Sequence, residues 1–174
     1  MSLTIELLLQ QLEASNIKLP ALLKLLDDLG VNYIIAGGHP RDLFFGKESR
    51  DVDIFVDDLD RITNQLDMMG IDNHWFESYL SEDDVTPINR INGVTKLAND
   101  IDLIGMSEQA TSPRDQVINY FDYNFNQFIM INESPTFIGD NFGTLTRTSN
   151  EPLTEQRAAH ITGKALLEKW KCPD

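Results

Sequence analysis

The sequence predicts an α+β fold of mixed α/β layers, a sheet flanked by helices with further helices at both ends of the chain. Three observations predict it. Apolar residues recur at helical spacing near both termini. Between them lie short β-branched and aromatic runs bounded by glycine, one of which alternates charged and apolar residues with period two. No internal repeat, low-complexity tract or Pro/Ser-rich linker divides the 174 residues, a length that suits one domain whose core needs no disulfide or metal staple.

The elements follow in order. Ile5, Leu8, Leu9 and Leu12 share one face of a 3.6-residue period, with Glu6, Gln10 and Glu13 mostly opposite. A second helix starts near Pro20, where a missing N–H costs nothing, carries Leu22, Leu25, Leu26 and Leu29 as its stripe, and ends at Gly30. Val31 to Ala36 reads as a strand closed by Gly37-Gly38. Pro40 to Phe45 has room for a helical turn or two before Gly46. Asp51 to Val56 alternates charge and apolarity and reads as a half-buried strand. Asp58 then caps a helix with Leu59, Ile62, Leu66 and Met69 at helical spacing.

The stretch from Ile71 to Pro87 reads as an irregular connection with one short strand. Ile88 to Lys96 and Asp100 to Met106 read as two strands turning at Leu97-Ala98-Asn99. Ser112-Pro113-Arg114-Asp115 resembles a capping box and opens a helix through Val117, Ile118 and Phe121. Phe125 to Ile131 reads as another strand, and Leu153 to Lys171 as a terminal helix with Ala158, Ile161, Ala165 and Trp170 near one stripe. The chain thus divides into N-terminal helices (1–30), a central core (31–135) and a C-terminal connection and helix (136–174).

Charge narrows the function. Against 28 Asp and Glu stand 14 Lys and Arg, a net charge of −14, which excludes tight sequence-independent binding of DNA or RNA over a broad face. A small basic cleft or a metal-bridged phosphate ligand stays open. The single cysteine, Cys172, forms no intrachain disulfide and fits a reducing compartment. No apolar run approaches a membrane span and no secretory signal opens the chain, so a cytoplasmic protein without membrane contact is expected.

Three features carry chemistry. Gly37-Gly38 at a strand exit, followed by Pro40-Arg41-Asp42, lets bare backbone N–H groups approach phosphate oxygens with Arg41 one turn away; an ordinary tight turn has the same sequence. Asp51 and Asp53 stand at i and i+2, so in a strand both carboxylates face one side, about 6–7 Å apart along the backbone. Such a pair suits Mg²⁺ with phosphate oxygens completing its shell, or else a solvated edge. Asp102 lies among aliphatic residues as a third acid able to hold metal or take a proton, with Asp100 a rival on the same face. Other polar residues take plainer readings. His74 belongs to a packed or partly exposed loop, His160 to a helix surface, and Lys96, Arg90 and Arg114 are scattered bases that either steer phosphate or meet solvent. Tyr120, Phe121, Tyr123, Phe125 and Phe128 read as core rather than base-stacking residues.

The run GGHPRDLFFGKESRDVDIF, Gly37 to Phe55, resembles the signature of the DNA polymerase β-type nucleotidyltransferase superfamily, in particular its tRNA CCA-adding and bacterial poly(A) polymerase class. That class has Gly-Gly, Arg-Asp, Gly and then Asp-x-Asp. The resemblance implies a nucleotidyltransferase-type mixed sheet, with 31–135 as its catalytic-type core. Asp51, Asp53 and Asp102 become metal-binding catalytic acids for Mg²⁺ (or Mn²⁺), and Gly37, Gly38, Arg41 and Asp42 become nucleotide contacts. The implied reaction moves a nucleoside monophosphate from a nucleoside triphosphate to an acceptor hydroxyl and releases pyrophosphate. The acceptor is a small molecule, a protein side chain or one RNA end. A non-catalytic nucleotide-binding module on the same fold, or a toxin-like transferase acting on tRNA or a host protein, are the alternatives. Residues 107–174, with FDYNFNQFIMI and the ending KWKCPD, loosely resemble small nucleotidyltransferase-like proteins of tailed bacteriophages.

Overall fold

A computed structural model describes residues 18–49, 51–76, 91–98, 100–106, 111–150 and 152–173. Its elements are α1 (Leu19–Leu29), β1 (Tyr33–Ala36), α2 (Gly38–Phe44), β2 (Val52–Val56), α3 (Leu59–Met68), β3 (His74–Phe76), β4 (Ile91–Leu97) and β5 (Ile101–Met106). There follow α4 (Pro113–Tyr120), a 3-10 turn (Asn124–Asn126), β6 (Phe128–Ile131), β7 (Ser134–Phe137) and α5 (Glu155–Leu167). The helix expected around Ile5 to Leu12, and Arg90, lie outside the described residues.

The strands form one seven-stranded mixed sheet in the order β3-β4-β5-β2-β1-β6-β7. β2 and β5 run parallel, and the other neighbours are antiparallel. Because side chains alternate along each strand, two cores form on opposite faces. Ile35, Val52, Ile54, Val56, Ile101 and Leu103 pack against the stripes of α1 and α3, namely Leu22, Leu25, Leu26, Leu59, Ile62 and Leu66. On the other face Ala36, Phe55, Val94, Ile104 and Ile129 pack with Val117 of α4 and Phe121. A third cluster, Phe125, Phe128, Leu145, Ile161, Ala165 and Trp170, anchors α5. Among the described residues, no helix is long and apolar enough to cross a membrane.

The caps form as the sequence predicts. Gly30 ends α1 at φ +69°. Asp58 Oδ1 accepts a hydrogen bond from the Arg61 amide at 3.2 Å. Ser112 Oγ accepts from the Asp115 amide while Asp115 Oδ2 accepts from the Thr111 amide, each at 3.1 Å.

Several boundaries differ from the sequence reading: β2 starts at Val52, β5 at Ile101 and α5 at Glu155. β1 begins at Tyr33 rather than Val31, because the Val31 amide closes the end of α1 by donating to Leu26 O at 3.0 Å. α2 begins at Gly38, ahead of Pro40. The expected strand from Phe125 starts only at Phe128, because Asn124 to Asn126 form the 3-10 turn and Asn124 spends its side chain on distant backbone. Its Nδ2 donates to Asp140 O at 2.8 Å and its Oδ1 accepts from the Thr146 amide at 2.9 Å. α5 stops at Leu167 because Lys169 adopts φ +62°, which lets Trp170 turn into the core and Lys171 bridge to Thr144. β7 has no counterpart in the sequence reading. It pairs with β6 across Asn132-Glu133, both at positive φ, a tight hairpin written without the usual glycine.

Candidate active site

The site begins where β1 ends. Gly37 has φ +85°, its amide donates to Phe128 O at 2.9 Å, and its carbonyl accepts from the Arg41 amide at 3.2 Å. A Cβ at Gly37 would stand 2.9 Å from Phe121 Cζ and 3.8 Å from Asp53 Oδ2. Glycine is therefore demanded twice, by backbone sign and by contact with the ring. The turn brings the start of α2 over the sheet edge where the acids lie.

Register places those acids. Ala36 pairs with Asp53, Asp53 with Asp102, and Asp102 with Lys96, so the four residues form one row across β1, β2, β5 and β4. Directly paired residues share a face, here the face of Phe55 and Ile104, beyond the end of that apolar core. Asp51, expected as the first residue of the strand, lies just before β2, exposed at the cleft. Asp100 sits in the β4–β5 turn at φ +57° and is exposed. Lys96 Nζ lies 3.4 Å from Asp102 Oδ2.

This crowding costs ionisation energy. Burial pushes the Asp53 carboxyl up to about 7, and the negative charges of Asp102 and Asp51 add to the shift against Lys96 and Arg157. Burial also raises Asp102, with Lys96 opposing and Asp51 and Asp100 reinforcing.

Basic groups line the same cleft. Arg157, His160, Ile161 and Lys164 of α5 recur at i, i+3, i+4 and i+7, one helical face, and all line the cleft. Thr154 fixes the start of that helix by accepting from the Arg157 amide at 3.1 Å, and buried Ile161 and Ala165 fix its rotation. Burial, then the charge of Arg41, holds the Lys164 ammonium below its ordinary value, with Arg157 adding and Asp42 opposing.

Arg41 is buried and clamped. Its Nε and Nη2 reach Asp42 Oδ1 at 2.9 and 2.8 Å, its Nη1 donates to Asn126 Oδ1 at 2.6 Å, and its guanidinium lies 5.1 Å from the Phe125 ring centroid. A guanidinium has five N–H donors, so one on each Nη remains for a ligand. His39 Nδ1 is buried without a hydrogen-bond partner, and burial holds the imidazole below its ordinary value against the pull of Asp42.

These walls enclose about 390 Å³, within the range of small-molecule sites. Of the residues singled out in the sequence, Gly38, Arg41, Asp42, Asp51, Asp53, Asp100 and Asp102 line it. Gly37 does not; it shapes the turn behind. The sequence reading does not single out Asn126 or the stripe of α5; His160, read as a surface or cap residue, is exposed at the cleft. The spacing of Arg157, His160 and Lys164 was the available signal. Among the described residues, no three His, Cys, Asp or Glu groups are gathered closely enough to hold an ion by themselves. The donor set still fits Mg²⁺ or Mn²⁺, hard cations that take one or two carboxylates and complete their shell with phosphate oxygens and water.

No family model and no curated protein matches the chain. Solved structures do. A tRNA-processing enzyme with CTP superposes with a TM-score of 0.57 at 18% identity, over 86% of this chain and 42% of that one. A CCA-adding enzyme in complex with ATP gives 0.53 at 14% identity, over 88% and 38%. A tRNA nucleotidyltransferase complexed with a primer tRNA and an incoming ATP analogue gives 0.50 at 17% identity, over 87% and 46%. The chain therefore has the polymerase β-type nucleotidyltransferase fold, and it spans less than half the length of these enzymes.

Proposed function

We propose that this chain is a nucleotidyltransferase that moves a nucleoside monophosphate from a nucleoside triphosphate to an acceptor hydroxyl, releasing pyrophosphate. One observation carries the reading: the acids Asp51, Asp53 and Asp102 and the bases Arg41, Arg157 and Lys164 line one cleft. Burial and neighbouring carboxylates raise Asp53 and Asp102, while burial and the charge of Arg41 lower Lys164. A metal–triphosphate complex carries the charges that the acids and the bases attract.

Asp51 and Asp53 would hold the metal pair with Asp102. Bound Mg²⁺ or Mn²⁺ supplies Lewis-acid stabilisation of the entering and leaving oxygens. The remaining Nη hydrogens of Arg41, the ammonium of Lys164 and the backbone N–H groups at Gly38 and His39 orient the β and γ phosphates. Asp102 Oδ would accept the proton of the attacking hydroxyl, its basicity raised by burial. Tyr120, Phe121 and Asn126 line the same cleft and bound the space left for the nucleoside. The −14 charge favours an acceptor other than a long polynucleotide.

The test is transfer of label from each NTP carrying ³²P at its α phosphate, with Mg²⁺ or Mn²⁺, to mixed RNA, protein and small-molecule acceptors. Transfer that disappears in Asp53→Ala supports the proposal. Nucleotide binding without transfer to any acceptor overturns it in favour of a non-catalytic module.

A further inference from the structure

We propose that Lys96 is the resident counter-cation of the acidic row, held on Asp102 when no divalent ion is bound and displaced toward the triphosphate when one enters. The proposal rests on the metal-dependent reading above. Lys96 is the direct cross-strand partner of Asp102, as Asp53 is on its other side, so Asp102 stands between a carboxylate and an ammonium in one row. The ammonium reaches Asp102 Oδ2 at 3.4 Å. Its charge bears on both Asp53 and Asp102.

The two ends of this pair differ in freedom. The side chain of Asp102 is 14% exposed and fixed by the strand, whereas that of Lys96 is 44% exposed on a flexible stem. An ammonium is a compact point charge on a flexible four-carbon stem, unlike the clamped guanidinium of Arg41. Lys96 also lines the cleft with Arg41, Arg157 and Lys164, so leaving Asp102 keeps it beside the space for phosphate.

Two consequences of opposite sign follow. With no nucleotide present, a divalent ion approaching Asp102 competes with a positive charge already there, so Lys96 weakens binding of the bare ion. With a triphosphate present, the displaced ammonium adds attraction for the anion, so Lys96 strengthens binding of the metal–nucleotide complex. The residue thereby couples the two ligands, favouring entry of the ion with its nucleotide over entry alone.

Mn²⁺ titrations of the full chain, followed by electron paramagnetic resonance, test this without turnover. They are run with Mn²⁺ alone and then with α,β-methylene analogues of ATP and CTP. Lys96→Met should bind bare Mn²⁺ about fivefold more tightly and the Mn²⁺–analogue complex about fivefold more weakly, the worth of a part-exposed ion pair. Lys96→Arg, which keeps the charge, should stay within about twofold of wild type in both titrations. Lys96→Gln serves as a second neutral variant should Lys96→Met not fold. Neutral variants that bind bare Mn²⁺ no more tightly than wild type overturn the proposal, as does a parallel weakening in both titrations, which marks a merely structural role. Asp53→Asn separates the two ideas. Loss of Mn²⁺ binding there with unchanged behaviour at Lys96 sinks only the counter-cation, whereas retained binding sinks the metal site and the counter-cation with it.

Discussion

Asp53 and Asp102 stand directly opposite each other across the parallel β2–β5 pair, although 48 residues lie between them in the chain. Parallel pairing forces a crossover between the two strands, and here that crossover is long enough to contain α3, β3 and β4. A one-residue slip of β5 would send Asp102 to the opposite face, the one covered by α1 and α3. Apolar partners on both sides of the row, Ile54 with Leu103 and Val52 with Ile101, oppose that slip. The hydrophobic core thus fixes the register of the acids.

That register distinguishes Asp102 from Asp100. Asp102 is part-buried and paired with Asp53, whereas Asp100 is exposed in a turn at φ +57°, a conformation that asparagine adopts readily. Asp102→Asn should lower the rate of α-phosphate label transfer by at least about a hundredfold, the range of a lost general base. Asp100→Asn should stay within about twofold of wild type, as a surface change does. The reverse order, measured at saturating Mg²⁺ and NTP, would assign the third acid to Asp100.

Crowding at the acids gives stability a pH signature. Folding raises the Asp53 carboxyl from 3.8 to about 7, so the folded chain holds this proton more tightly than the unfolded chain. The resulting penalty is absent below about pH 4, grows as pH rises, and is complete above about pH 7. Asp53→Asn removes it. At pH 8 in EDTA the variant should exceed wild type in unfolding free energy by on the order of 2 kcal/mol, a figure reduced for partial solvent access, and the gap should close by pH 4. Mg²⁺ should raise the wild-type Tm at pH 8 and leave that of Asp53→Asn nearly unmoved. Urea titrations across this pH range, with and without Mg²⁺, check each arm; a gap that widens toward acid contradicts the account.

The parts legible in the sequence are those governed by local chemistry. Asp58 and Ser112 announce helix starts because a cap is made within three residues, and the charge–apolar alternation announces β2, with Asp53 on the face opposite Val52 and Ile54. The parts missed depend on what distant residues supply. Asn126 reads as a polar position in a strand until Arg41, far away in the chain, claims it. The stripe Arg157, His160 and Lys164 is visible as spacing, but its meaning waits on Ile161 and Ala165, whose burial against Phe125 and Phe128 turns the basic face toward the acids. Likewise Lys169 ends α5 with a positive φ that no glycine signals, because the burial of Trp170 four per cent exposed overrides the local preference.

The turn at Gly37 should tolerate no side chain. A Cβ there would stand 2.9 Å from Phe121 Cζ with φ at +85°, whereas at Gly30, also at positive φ, nothing lies within 4 Å. Gly37→Ala should destabilise the chain by about 3 kcal/mol, combining backbone strain with a displaced ring, and Gly30→Ala by about 1 kcal/mol from conformation alone. Urea unfolding of both variants measures the difference. Equal losses would mean that the Phe121 contact relaxes at no cost.

The last prediction concerns the clamp on Arg41. Arg41 is 4% exposed, and Asn126 Oδ1 accepts from its Nη1 at 2.6 Å. Asn126→Leu removes that acceptor and leaves a buried charged donor unpaired, at a cost of about 2–3 kcal/mol, while Asn126→Asp keeps an oxygen in place. If the clamp aims the remaining N–H groups of Arg41 at phosphate, Asn126→Leu should also raise the KM for NTP by roughly tenfold with a smaller change in kcat, because it loosens ground-state and transition-state binding together. Asn126→Asp should recover most of the stability. Denaturant titrations and steady-state kinetics on the two variants decide the matter. A loss of stability in Asn126→Leu with an unchanged KM would make Asn126 a structural partner of Arg41 and remove Arg41 from the phosphate site.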